Sequence, residues 1–295
     1  MTSAASEEPV VRRGALWPRL AAVVSGSGAA KVGLTLIGLH VLVALLAPVL
    51  TPYAPVGNHP AQALAGVSAD HWAGTDQYGR DVLTRVLYGG RYALLVSALA
   101  TLCAVGLGTV LGCLTALAGR WFDAVLMRLL DAVLAIPAIL ALLVVVTALG
   151  TGVWVIVLAV TVTFAPQVTR VVRAAAQNVV PLDYVSAARA RGEGWWSLLV
   201  RELLPNVADV VAVEVALRAS WVVLLISSLS FLGFGANPPT PDWGLMVSEN
   251  RAAITVVPMA TIVPIIALAT LVVGLNLASD GLSKGFGVDR ARQGG

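Results

Sequence analysis

Charged side chains are scarce in this sequence, so each one inside an apolar stretch needs a physical reason. Of 295 residues 12% are charged and 58% are hydrophobic, against roughly a quarter charged in an ordinary soluble domain. Arg128, Asp131, Glu214 and Arg218 fall inside apolar segments. There an ionised group costs at least a few kcal/mol unless it is paired or hydrated. Glu214 and Arg218 are four apart with the acid first, the favourable order for a pair on one helix face. Arg128 and Asp131 repeat the theme at a spacing of three. The expected role of all four is structural pairing beside a wet cavity, with direct contact to a bound substrate as the alternative. A second group, Asp76, Arg80, Asp81 and Arg85, lies in a polar stretch where Gly74 and Gly79 suit tight turns. Arg80 and Asp81 are expected to pair and hold that stretch in one conformation.

Other chemistries find little to work with. His40, His59 and His71 have no metal-ligand spacing, no nucleophile–base pair stands out, and no G-x-x-x-x-G-K-[ST] phosphate loop occurs. Cys103 and Cys113 lie ten residues apart in one apolar segment. On a helix that is about 15 Å, too far for a disulfide, so both read as small packing residues. A net charge of +3 gives no argument for a nucleic-acid partner. An enzymatic role is therefore disfavoured, and Asp131 and Glu214 are thin support for an autonomous transporter or channel.

The elements that position these residues are set by the bilayer. Mean hydropathy is +0.86, and a spanning helix needs about 20 mostly apolar residues. Six stretches qualify or nearly do: 33–50, 93–118, 124–149, 153–172, 207–234 and 257–278. The fourth carries Pro166, Gln167 and Arg170 near its end, and Pro137 is expected to kink the third. Gly108 and Gly112 give the second a small-xxx-small spacing for close helix packing, at a subunit interface or within the chain. Fifteen of the nineteen lysines and arginines collect on one side if the amino terminus is cytoplasmic; Arg80, Arg85, Arg91 and Arg251 lie on the other. The fold class expected is thus an all-α polytopic membrane protein with both termini inside. Its transmembrane domain covers 31–285, with outer loops at 51–92 and 235–256 and a cytoplasmic loop at 173–206. Residues 1–30 read as a flexible cytoplasmic tail or an amphipathic surface segment, and 286–295 as a second tail.

Within the inner loop, Asp183 is a candidate N-cap and Gly192 a left-handed helix terminator. A second short helix, 195–203, is expected to end near Pro205. The result is a helix–glycine–helix elbow, with Ala187, Ala188 and Ala190 small enough for close approach by another protein and a positive rim of Arg189, Arg191 and Arg201. From the residues alone two readings stand. The elbow docks a partner protein, or it lies on anionic lipid with Trp195 and Trp196 as interfacial anchors.

A resemblance separates them. Ser186-Ala187-Ala188, then Gly192, then Leu204-Pro205 resembles the EAA loop of binding-protein-dependent ABC importer permeases. Three further stretches narrow the likeness to the dipeptide/oligopeptide/nickel group, and there to the C-type subunit: 71–83 around Gly74-Thr75-Asp76 and Gly79-Arg80-Asp81, 230–244 ending Asp242-Trp243-Gly244, and Asn276 with Asp280-Gly281-Leu282. Together they cover roughly 30–285. The resemblance implies a type I importer permease fold of six spans in a bacterial inner membrane. It implies a heterodimer with a second homologous permease, two ATPase subunits or one two-domain ATPase, and an extracytoplasmic substrate-binding protein. ATP and Mg would be bound by those partners, with no cofactor on this chain. Tyr184, Ser186, Ala187, Ala188, Arg189, Arg191, Gly192, Leu204 and Pro205 would form the contact to the ATPase. Asp76, Arg80, Asp81 and Trp243 would serve binding-protein docking or a gate. Short peptides are the implied cargo, with nickel chelates, glutathione or haem-like molecules as alternatives. The sequence departs from the group at Ser186, where many members carry Glu, at Glu202, where close relatives often carry His, and at Ile226, where an acid is usual.

Overall fold

A computed structural model describes residues 16–287. Among them the chain is helical, apart from turns, loops and one isolated bridge between Thr75 and Asp81. Five helices are long and apolar enough to cross a membrane singly: α2 (Gly28–Leu50), α3 (Val82–Leu117), α6 (Val153–Val179), the continuous run Trp195–Phe231, and α11 (Met259–Phe286). A sixth crossing is available from α4 (Arg120–Leu134) and α5 (Ala138–Leu149), which meet at 84°. The expected kink at Pro137 is therefore a break. Proline has no N–H to continue the ladder and pushes the residue before it out of the helical region, so Pro137 stands as the N-cap of a new helix.

Most helices begin or end beyond the apolar stretches that mark them. α3 starts at Val82 rather than 93, because Asp81 caps it: its carboxylate accepts the Thr84 N–H at 2.7 Å. The 51–92 segment is thus a loop only to Asp81. α6 runs on to Val179, and the fifth crossing begins at Trp195, so the 173–206 segment is mostly helix and its connector is short. The helix expected to end near Pro205 continues through it. Trp195–Ser197 (α8) widens into a π-helical turn at Leu198–Leu203 and re-forms as α9 (Leu204–Phe231). Pro205 sits in the first turn of α9, where its missing N–H costs least, and Leu204 N–H bonds Leu199 O five residues back. The 235–256 segment folds into α10 (Trp243–Asn250) and a short 3-10 turn.

Residues 16–26 are not a loose tail. They form α1 (Leu16–Gly26), which packs on α11 and is tied to α9 by Arg19 and Asp209 at 3.1 Å; residues 1–15 lie outside the described residues. The α3–α6 crossing uses Gly108 and Gly112: a Cβ at Gly112 would lie 2.9 Å from Arg173 N and from Thr169 O. The small-xxx-small pair therefore packs within the chain, leaving nothing for a subunit interface. One apolar cluster joins α3, α5, α6 and α9 around Leu142, Ile156 and Ile226; a second joins α3, α10 and α11 around Trp243 and Met246. Ile226, 1% exposed, packs in hydrocarbon where an acid would need a partner.

Candidate functional site

The polar residues separate into two ends of the bundle and a cleft between. At one end, 51–81 and 235–256 fold together into a cap. Asp76 organises it: its Oδ1 accepts the backbone N–H groups of Tyr78 and Arg80, and its Oδ2 takes Arg80 Nε at 2.6 Å and Arg85 Nε at 3.5 Å. Arg80 and Arg85 both reach on to Glu249 of α10, at 2.7 and 3.4 Å. Arg85 also donates to the carbonyls of Pro55 and Pro239. Two arginines and two carboxylates therefore balance in a site where Asp76 and Arg85 have no exposed surface. Such burial is tolerable only because each charge is paired and hydrogen-bonded.

The expected Arg80–Asp81 pair does not form. Asp81 is committed to capping α3 and to His71 Nδ1 at 2.9 Å, while Arg80 points the other way into the Asp76–Glu249 cluster. Trp243, also expected at a docking surface, is 3% exposed and donates its indole N–H to Val86 O at 2.8 Å. Asp76, Arg80, Asp81 and Trp243 are all buried, and their polar atoms are engaged within the cap. Asp242 caps α10 by accepting the Leu245 N–H at 2.9 Å. Burial pushes its carboxyl up to about 6, against the pull of the Leu245 and Gly244 amides.

The opposite end carries α7 (Asp183–Ala190). Asp183 is its first residue; the N-cap is Leu182, whose side chain offers no acceptor. An acid in the first turn still suits the helix dipole. The carboxyl end closes as expected. Gly192 has φ +79°, its N–H bonds Arg189 O at 2.9 Å, and Glu193 N–H bonds Ala188 O at 3.2 Å, the paired bonds of a Schellman motif. Glu193 then accepts from Arg191 Nη2 at 2.6 Å and from Ser197 Oγ at 2.8 Å. These bonds hold its carboxyl below the usual range and fasten α7 to the start of the long helix.

Val185 and Ala188 bury with Leu198 against Leu117 and Val179. Ala188 thus faces its own chain, not a partner. Ser186, Ala187 and Ala190 line the opposite, exposed face with Arg189, Arg191 and Gly192 beside them; Tyr184 and Leu204 are half-buried and Pro205 exposed. Trp195 and Trp196 are exposed as well.

Between the ends, Glu214 and Arg218 pair at 2.9 Å as their spacing predicts, and Arg218 also donates to Gln167 of α6. Arg218 and Gln167 line a cleft of about 420 Å3 with Trp221 and Ser228. The Arg128–Asp131 pairing is replaced: Asp131 binds Arg170 of α6, and Asp123 binds Arg173. Arg128 is exposed. The facing helix α6 supplies both arginines, and a partner from another helix is not visible in local spacing. Glu249, His71 and Gln167 were missed for the same reason. Glu249 and Arg80 stand 169 residues apart.

Residues 108–287 match the family described as binding-protein-dependent transport system inner membrane component. The chain is 35% identical to the dipeptide transport system permease protein DppC of Alkalihalophilus pseudofirmus over 86% of its length and 83% of the relative's. It is 35% identical to the glutathione transport system permease protein GsiD of Pectobacterium atrosepticum, over 83% and 81% of the two chains. It is 33% identical to DppC of Haemophilus influenzae, over 86% and 88%.

Proposed function

Because this chain belongs to the family of binding-protein-dependent transport system inner membrane components, we propose that it is the C-type permease of an ATP-driven importer of short peptides. It works beside a second permease. Its elbow end faces the cytoplasm and its cap end faces the substrate-binding protein. Glutathione-sized peptides fit the same reading, as the relatives' names suggest. ATP and Mg act on separate ATPase subunits, because the sequence has no phosphate loop.

One observation carries the proposal: the exposed small-residue face of α7 is locked by Gly192 and the Arg191–Glu193–Ser197 bonds to a helix that runs unbroken from Trp195 to Phe231. A push on α7 is thereby delivered along about 55 Å of helix, past the Arg218 cleft and up to the cap. ATPase closure then rocks α9 against α6, and the path between the subunits opens alternately to the two sides.

Gly192→Leu tests this. A bulky residue at φ +79° costs about 1–2 kcal/mol and alters the end of α7 without touching the membrane core. The variant is expected to insert at wild-type levels and to assemble, with ATP hydrolysis retained and peptide uptake lost. Full uptake would remove the elbow from the mechanism. Substrate flux through the purified chain alone in ATP-free liposomes would replace the importer with an autonomous transporter.

A further inference from the structure

Arg91 lies inside a membrane-spanning helix, yet its contacts are carbonyls and a ring rather than a carboxylate. Its Nε donates to Ala44 O at 2.7 Å, its Nη2 to Leu45 O at 3.2 Å, and its plane rests 5.0 Å from the Tyr88 ring. The Ala44 carbonyl is the one left open by Pro48, which has no N–H to return to it. Arg91 therefore repairs the α2 ladder, and this explains its hydrogen bonds. It does not explain the charge, which no carboxylate neutralises among the described residues.

Directly below Arg91 lies a slot of about 690 Å3 between α2, α3, α9 and α11. Ile37, Val41, Leu94, Ala98, Val223 and Leu275 make its walls. The buried Ser97 hydroxyl, which also lines it, has no hydrogen-bond partner. Arg91 stands at the cap end. Seven residues of α3 separate it from Ala98, about 10 Å, which is most of the hydrocarbon of one leaflet at roughly 15 Å. A cation at the headgroup side and an apolar trough running toward the midplane have the shape and charge of one molecule class. We propose that this slot binds one anionic phospholipid of the leaflet on the cap side, with its phosphate on Arg91 and one acyl chain between α2, α3 and α9.

The test uses the importer complex containing this chain, purified in mild detergent, delipidated by washing, and reloaded from nanodiscs of phosphatidylglycerol or phosphatidylcholine before native mass spectrometry. Wild type is expected to retain one phospholipid per chain and to prefer phosphatidylglycerol about fivefold. Ala98→Phe fills the trough without touching Arg91 and should lower retained lipid roughly tenfold. Arg91→Gln keeps a donor for the Ala44 carbonyl but removes the charge, so lipid should stay while the preference for phosphatidylglycerol disappears. Leu158→Phe, on an exposed face of α6, should change neither. Unchanged retention in Ala98→Phe, or an unchanged headgroup preference in Arg91→Gln, overturns the proposal. So does a Leu95→Cys cross-link to a neighbouring subunit, which would put protein in the slot.

Discussion

The two ends of this molecule use polar side chains in opposite ways. At the cap, Asp76, Arg80, Arg85 and the mostly buried Glu249 consume one another's charge, and Trp243 spends its N–H on Val86 O. At the elbow, Ser186, Ala187, Ala190 and Arg189 remain exposed, and the bonds that do form, Arg191 and Ser197 to Glu193, only fix the angle of the turn. The buried charges of the cap are satisfied inside this chain. The exposed face of α7 has no such engagement, and it is where the proposed ATPase contact falls. A mutation at the cap should thus register as lost stability, and one at the elbow as lost coupling with little change in stability.

The sharpest break of that contrast is Arg85→Ala. It leaves Arg80 alone to balance Asp76 and Glu249 and strands the carbonyls of Pro55 and Pro239, so the loss is expected at about 3–5 kcal/mol. The cap segments 51–81 and 235–256 should become open to protease in sealed vesicles while the spanning helices stay inserted. A cap that kept wild-type protection would mean that the buried charges are not what joins the two loops.

The pH response of Asp242 sharpens the same end more gently. Its folded pKa of about 6 stands above the ordinary 3.8, so the folded cap holds a proton that the unfolded chain releases. Its contribution is therefore fullest below pH 4, declines as pH rises through 6, and is flat above. The total is on the order of 3 kcal/mol. Asp242→Asn keeps an acceptor for the Leu245 N–H but has nothing to titrate. The difference in thermal unfolding between the two proteins should favour Asn progressively from pH 4 to about pH 6. A difference of opposite slope would show that the carboxylate is stabilised rather than burdened by its site.

What could be read in advance follows the range of each interaction. The crossings, the Gly192 terminator and the Glu214–Arg218 pair depend on neighbours within a turn or on bulk hydropathy, so composition and spacing suffice. Helix ends were misplaced wherever a polar first or last turn extends past the lipid, as at Asp81–Val82 and Ala176–Val179. The cap cluster was half visible: the concentration of Asp76, Arg80, Asp81 and Arg85 marked the right segment, but the pairing was wrong. Glu249 arrives from a distant part of the chain, and His71 claims the carboxylate that Arg80 was expected to take. Asp131 was likewise lost to Arg170, which arrives on the facing helix α6. A local spacing rule proposes a partner, and the tertiary fold supplies a better one when burial makes the better one worth several kcal/mol.

Arg170→Ala marks the small end of the scale and gives the comparison its control. The ion pair with Asp131 resembles the cap pairs on paper, but both side chains are about half exposed, so water already solvates each charge when they separate. Exposed pairs contribute about 0–1 kcal/mol, and no carbonyl or second carboxylate is stranded when this one is cut. Thermal unfolding of the purified protein should therefore fall by at most about 1 kcal/mol, several-fold less than for Arg85→Ala. The loss should shrink further in high salt, because screening acts on exposed charges and leaves the buried cap cluster nearly untouched. If Arg170→Ala instead destabilised the protein as much as Arg85→Ala, with no dependence on salt, the α4–α6 contact would have to be a second buried lock. The proposed division between a finished cap and an open elbow would then fail at the helix pair that lies nearest the elbow.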